Sequence, residues 1–303
     1  MMQPSTTKIT IQTPNTFRFA PNLDYLNRDA KECMHHIENN QITKLIELTG
    51  QTLLIQISEA THNTLSIQCL ASQTPITELT RIELINYIHN WFDINRDISE
   101  FYALARTDAL LCQTTQDHYG LRIISIPDLF EALCWGIIGQ QIDLSFAYTL
   151  KRQFVEKYGT STVYNNIQYW TFPTAEKIAT LNITELTAIQ LTKRKSEYII
   201  EIAQQIQSGA LSKQHLQNLP TIAHIEKELT KIRGIGPWTA NYVIMRCLKL
   251  PNAFPIDDIG LINAIQHAQQ LDQKPTKTEI QQLAKNWSGW EAYATFYLWR
   301  TLY

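Results

Sequence analysis
Two adjacent carboxylates, Asp257 and Asp258, head the apolar stretch Ile259-Gly260-Leu261-Ile262, downstream of the turn sequence Arg233-Gly234-Ile235-Gly236-Pro237-Trp238-Thr239. Both segments could do chemistry. Two glycines around one apolar residue allow a sharp bend with Ile235 anchored between helices, and Pro237 suits the first helical position because its missing N–H would have had no acceptor there. The bend leaves backbone N–H groups beside a helix N-terminus, an anion site suited to one phosphate, and Lys231 and Arg233 add positive charge to it. A carboxylate at a helix start can cap the helix or stabilise a cation developing on a substrate. Helical register separates the pair. Asp258 has Leu261, Ile262 and Ile265 at same-face offsets, whereas Asp257 has Gly260, Leu261 and Ala264, so Asp258 is expected to face inward and Asp257 to cap. Taken bare, the turn reads equally well as an ordinary corner between helices, and both aspartates as caps.

Other residue types bear on the same chemistry. Trp238 and Tyr242 share a helix face, and Trp290 opens the last helix. Electron-rich rings attract a cationic ring system by about 1–3 kcal/mol per contact, although such a stripe also describes a core. Lys193-Arg194-Lys195 is the densest basic cluster and could meet phosphates or simply be a solvated charge run. Gln140-Gln141 follows Gly139 in another turn.

These residues need positioning elements. The chain has 303 residues, 44% hydrophobic and 18% charged, which excludes a disordered or collagen-like protein and suggests about two domains. Net charge is −2, so any nucleic-acid contact must come from placed groups rather than bulk attraction. Neither a signal peptide nor a membrane span is expected, which points to a cytoplasmic chain. Five cysteines, all far apart in sequence, argue against disulfides and against a zinc or iron–sulfur site, and the histidines lack metal-ligand spacing. Period-two alternation at 8–13, 52–58 and 65–70, with a helix at about Leu23–Ile37, predicts a small α+β domain over 1–100 with an antiparallel sheet. Period 3.6 from Ile76 onward predicts helices without strands, including one long helix over 126–157 and another over 97–111, making 101–303 an all-α body. Thr276 and Glu279 read as a capping box.

Residues 229–264 resemble the helix–hairpin–helix and aspartate signature of base-excision DNA glycosylases, within them the 3-methyladenine DNA glycosylase II family. Phe130-Glu131-Ala132, Gly136-Ile137-Ile138-Gly139-Gln140-Gln141-Ile142, Lys193-Arg194-Lys195 and the tail Trp290-x-x-Tyr293-Ala294-x-x-Tyr297-Leu298-Trp299 agree. The resemblance spans about 80–303 and implies an α+β, mainly α fold, with a TATA-binding-protein-like N-terminal domain, a hairpin at 229–242 and a catalytic loop at 251–258. It implies a monofunctional enzyme that flips alkylated purines such as 3-methyladenine and 7-methylguanine out of double-stranded DNA and hydrolyses the glycosidic bond.

Residue by residue, the resemblance makes Asp258 catalytic, Trp238, Tyr242 and Trp290 a base pocket with Trp290 against the carboxylate, and Gln141 or Gln140 the filler of the vacated gap. Gly234, Ile235, Gly236, Thr239, Arg233, Lys193 and Lys195 become DNA contacts. Glycosylases that also cut the strand carry a lysine two positions after the second hairpin glycine; Trp238 stands there, so strand cleavage through a Schiff base is not expected. The alternatives are a catalytically silent DNA-damage-binding module and, less favoured, an oxidised-base glycosylase/lyase. Glu291 departs from the arginine common after Trp290. No cofactor is expected beyond an optional structural cation at the hairpin, no iron–sulfur cluster, no membrane partner, and a monomer.

Overall fold
Alternating burial along Lys8–Gln12 shows why that segment is a strand: Ile9 and Ile11 point into the core while their neighbours face out. The computed structural model describes residues 2–4, 7–48 and 50–302. Strands β1 (Gln3–Pro4), β2 (Lys8–Gln12), β3 (His36–Glu38), β4 (Gln41–Leu48), β5 (Gln51–Thr61) and β6 (Thr64–Ser72) form an antiparallel sheet in the order β1-β6-β5-β4-β3, with β2 also on β6. Asn39, Asn40 and Asn63 turn the hairpins with positive φ, which asparagine tolerates.

Helix α1 (Phe19–Leu26) is shorter than the expected Leu23–Ile37. Side chains beyond it compete for the backbone. Asp29 accepts the N–H of Lys31, and Glu32 accepts those of Cys33 and Met34, which bends 27–35 into a loop ahead of β3.

Helices α2 (Glu78–Trp91), α3 (Ser99–Ala105), α4 (Cys112–Asp117), α5 (Leu129–Ile138) and α6 (Leu144–Tyr158) begin the helical body. The expected helix over 126–157 is thus two. Gln141 takes φ 57° between them, and Asp143 caps α6 by accepting the N–H of Phe146 at 2.8 Å. Likewise 97–111 breaks after Ala105, where Asp108 accepts the N–H groups of Leu110 and Leu111.

Strands β7 (Ser161–Tyr164) and β8 (Ile167–Trp170) correct the strand-free expectation for this region. Asn165 and Asn166 both have positive φ, the requirement of a tight hairpin turn. Tyr169 buries with Leu45, Leu54 and Ala71, so this hairpin covers the outer face of the sheet.

The chain continues through α7 (Ala175–Ala179), α8 (Ile183–Thr187), α9 (Lys193–Gln207), α10 (Lys213–Gln217), α11 (Ile222–Thr230) and α12 (Pro237–Val243), the last running on into a π-helical turn, Ile244–Leu248. It ends with α13 (Ile259–Ala268), α14 (Lys277–Ala284), which carries the predicted capping box, and α15 (Glu291–Trp299). One core runs from Ile9 and Leu53 of the sheet to Phe296 of α15, and the expected 100/101 division falls inside α3. No helix among the described residues is long and apolar enough to cross a membrane.

Candidate active site
Asp258 is the N-cap of α13, correcting the expectation that Asp257 would cap. Its Oδ1 accepts the N–H of Leu261 and the indole N–H of Trp299, both at 2.8 Å; its Oδ2 accepts the indole N–H of Trp238, also at 2.8 Å. The residue is 7% exposed, and what exposure it has opens into a cleft. Three donors fix the carboxylate in one orientation, while Oδ2, with a single partner, keeps acceptor capacity free. Asp257 instead lies exposed, with both oxygens 2.8 Å from Lys277 Nζ. The inward register inferred for Asp258 is what the structure has.

The cleft, of about 310 Å³, is walled by Trp238, Tyr242 and Trp299 and closed by the 139–144 turn. Trp238 and Tyr242 sit 5.8 Å apart between ring centroids at 30°, and Tyr242 lies 6.5 Å from Trp299 at 32°. Trp290 is not there. Its ring packs on Phe101 at 6.0 Å and Tyr293 at 5.7 Å, because at about 3.6 residues per turn positions 290 and 299 fall on opposite sides of α15. Trp299, which ends the same aromatic tail, holds the carboxylate instead; the spacing of the two tryptophans places them on opposite faces but does not say which one meets Asp258. Tyr25, Arg28, Trp135 and Arg246 also line the cleft and had no sequence signal. Glu291 is half-buried in the first turn of α15, and burial raises its carboxyl above the usual range.

Around the hairpin the expected contacts divide. Gly234 has φ 89°, and a Cβ there would stand 2.2 Å from the Tyr198 ring, so glycine is obligatory. Ile235 is buried as the anchor, whereas nothing lies within 4 Å of a Cβ placed on Gly236, which borders an open groove with Gly234 and Trp238. Pro237 has no N–H and the Ala240 N–H bonds the Gly236 carbonyl at 2.9 Å, so the first-turn amides of α12 without a helical acceptor are those of Trp238 and Thr239, at the end of a helix that favours an anion.

Other expected DNA contacts serve the fold. Thr239 is buried and accepts a hydrogen bond from Gln140 Nε2 at 3.1 Å; the same nitrogen donates to the Gly234 carbonyl at 2.9 Å. Gln140 therefore ties the 139–143 turn to the hairpin and is not available to fill a gap in DNA. Gln141 is, being exposed at the tip with a left-handed backbone. Lys195 Nζ donates to the carbonyls of Ile138 and Gln140 at 2.8 Å each, closing the end of α5, and burial lowers its pKa. Arg233 pairs with Glu201 at 2.7 Å and Glu197 at 2.6 Å, so its charge is compensated rather than offered to a phosphate. Lys193 and Arg194 remain exposed.

A hairpin with a fixed glycine bend, its anchor and an inward aspartate across a shared tryptophan is the arrangement to compare with known proteins. Residues 134–289 match the family described as HhH-GPD superfamily base excision DNA repair protein. The chain belongs to that superfamily. Residues 7–133 match the 8-oxoguanine DNA glycosylase N-terminal domain, which accounts for the sheet. A DNA-3-methyladenine glycosylase of Bacillus subtilis is 50% identical over 97% of each chain. The 3-methyladenine DNA-glycosylase from Archaeoglobus fulgidus superposes with a TM-score of 0.82 at 20% identity, covering 96% of this chain and 97% of that one. The Clostridium acetobutylicum 8-oxoguanine glycosylase/lyase in complex with double-stranded DNA gives 0.75 at 19% identity over 99% and 96%. At these identities the two structures speak for the HhH-GPD fold alone.

Proposed function
We propose that this HhH-GPD protein is a monofunctional DNA glycosylase that extrudes an alkylated purine from duplex DNA and hydrolyses its glycosidic bond, leaving an abasic site. The observation that carries the reading is the pinned carboxylate of Asp258 at an aromatic cleft beside the hairpin groove. The 50% identical relative, named for 3-methyladenine, supports the substrate class.

In this mechanism the hairpin grips one phosphate through first-turn amides of α12, with Lys193 and Arg194 nearby in sequence to the α5–α9 contact that Lys195 makes. The base enters the cleft, at a cost of a few kcal/mol for unstacking, and Gln141 fills the space it leaves. The bond from the sugar carbon to the base nitrogen breaks with both electrons going to the base. A purine alkylated on a ring nitrogen is already cationic and leaves neutral, needing little acid assistance. The sugar passes through an oxocarbenium-like state, and Asp258, held by two indoles, stabilises that cation and orients the water whose oxygen bonds to the sugar carbon. Its proton passes to solvent. With Trp238 in the position of the lyase lysine, no amine is placed to form a Schiff base.

Incubation of the protein with duplex DNA containing 3-methyladenine, followed by assay of free base and of strand breaks, tests the reading. Free base with strands intact until alkali treatment is the expected result. Direct nicking would identify a lyase, and tight binding without release a silent damage-binding module; either would overturn it.

A further inference from the structure
We propose that Glu197, Glu201 and Glu228 limit the grip of the hairpin groove on undamaged DNA by neutralising Arg233 and Lys231, the two cations that line it. The inference rests on the reading of that groove as the place where the hairpin holds a phosphate. Lys231 Nζ lies 2.7 Å from Glu228 Oε2, three residues back along the chain. Arg233 meets two carboxylates of α9, Glu197 at 2.6 Å and Glu201 at 2.7 Å, although its own side chain is 54% exposed. The remaining charged residue on the groove, Asp257, is held by Lys277 at 2.8 Å. Three cations are thus set against four carboxylates at this rim. Asp258, across Trp238 in the base cleft, adds one more anion nearby.

The α9 pair needs this arrangement. Glu197 and Glu201 stand four residues apart on one helix face, where like charges repel unless a cation lies between them. Arg233 is that cation, and its guanidinium carbon also lies 5.1 Å from the centroid of the Tyr198 ring. Tyr198 is the ring that makes glycine obligatory at position 234, so the neutralised arginine is tied to the hairpin bend itself. A cation this close to a carboxylate presents a dipole to a phosphate instead of a full charge, and displaces few of the counterions along DNA. A phosphate that drew Arg233 away would leave two adjacent carboxylates facing it.

Phosphate contacts are the same on damaged and intact duplex and carry no information about the lesion. Free cations at the groove would tighten both complexes alike and hold the protein on intact DNA, which offers far more sites. With Arg233 and Lys231 neutralised, discrimination rests on the base cleft, where damage differs from normal sequence. Exposed Lys193 and Arg194 supply the salt-dependent attraction that remains.

Titration of the full chain with an undamaged duplex at several salt concentrations tests this. Glu197→Gln/Glu201→Gln keeps side-chain size and removes both charges. Its affinity should rise roughly threefold or more at low salt, and its slope of log affinity against log salt should steepen by about 0.9, as one added phosphate contact requires. Adding Arg233→Ala to that variant should undo both changes, whereas Arg233→Ala alone should leave the wild-type slope as it is. Glu228→Gln, on a separate helix, should act in the same direction through Lys231. With excess undamaged duplex as competitor, release of 3-methyladenine by the Glu197/Glu201 variant should fall below that of wild type. A slope that becomes shallower by about one in Arg233→Ala alone would show an arginine already on a phosphate and overturn the inference. So would Glu variants that lose unfolding stability with no change in slope, the mark of pairs that serve only the fold. Wild-type protein that binds no duplex at any salt would overturn the hairpin reading itself, a different failure.

Discussion
At the scale of single residues, the site depends on three N–H groups converging on one carboxylate. Hydrogen bonds to a charged acceptor contribute about 1.5–3 kcal/mol each. Trp299→Phe keeps the ring but removes the donor to Oδ1, so single-turnover base release should drop by roughly ten- to a hundredfold. Trp290→Phe, away from the cleft, should leave release within about twofold of wild type, a difference worth only ~0.4 kcal/mol. Much of this was legible in the sequence. The offsets of Leu261 and Ile265 against the two aspartates identified the inward one, since helical register is local. Trp299 was missed in favour of Trp290 because a family pattern says that a tryptophan is present in the tail, and only the rotation of α15 says which one faces the carboxylate.

At the scale of elements, the two hairpin glycines differ in what they do. Gly234→Ala drives a Cβ into the Tyr198 ring at a left-handed backbone position, so it should cost about 2 kcal/mol or more of stability by denaturant unfolding. Gly236→Ala meets no neighbour in the protein. It should leave the unfolding midpoint unchanged while weakening binding to duplex DNA in a titration. The basic cluster divides as well. Lys193→Ala should reduce the slope of log affinity against log salt by about one, as loss of one phosphate contact does, whereas Lys195→Met should lower stability and leave that slope unchanged. Nothing in the spelling Lys-Arg-Lys distinguishes them. The side chains diverge only once α9 packs across the end of α5. The β7–β8 hairpin, by contrast, had its signal in Asn165-Asn166 between alternating residues, and was obscured by reading everything after Pro75 with one period.

At the scale of the whole molecule, the N-terminal sheet and the helical body share one core, and the cleft draws residues from both. Tyr25 and Arg28 could not be placed there from sequence, because no local pattern links them to residues past 230. A titratable group marks the junction. His35 donates from Nε2 to the Leu26 carbonyl at 3.1 Å and packs edge-on to Trp91. Burial, assisted by Lys44 and opposed by Glu32, pushes its pKa from 6.5 down to about 4. The unfolded chain therefore binds the proton first as pH falls. The stability that neutral His35 contributes is complete above pH 6.5 and is lost as pH falls toward about 4. Glu32, whose carboxylate the Lys151 ion pair holds below its ordinary range despite burial, adds a loss of the same sign at lower pH. Thermal unfolding followed across this range should show a falling midpoint, and His35→Gln should flatten its upper part.

The most direct measurement is a paired comparison of Asp258→Asn and Asp257→Asn on duplex DNA holding 3-methyladenine, with single-turnover release and duplex affinity read for each. Asparagine keeps the shape of either side chain, but at position 258 it removes the anion facing the cleft. Release should be abolished in Asp258→Asn with binding retained, and should persist in Asp257→Asn, whose exposed side chain pairs with Lys277 away from the cleft. Loss of release in the Asp257 variant with full activity in the Asp258 variant would contradict the account at its centre.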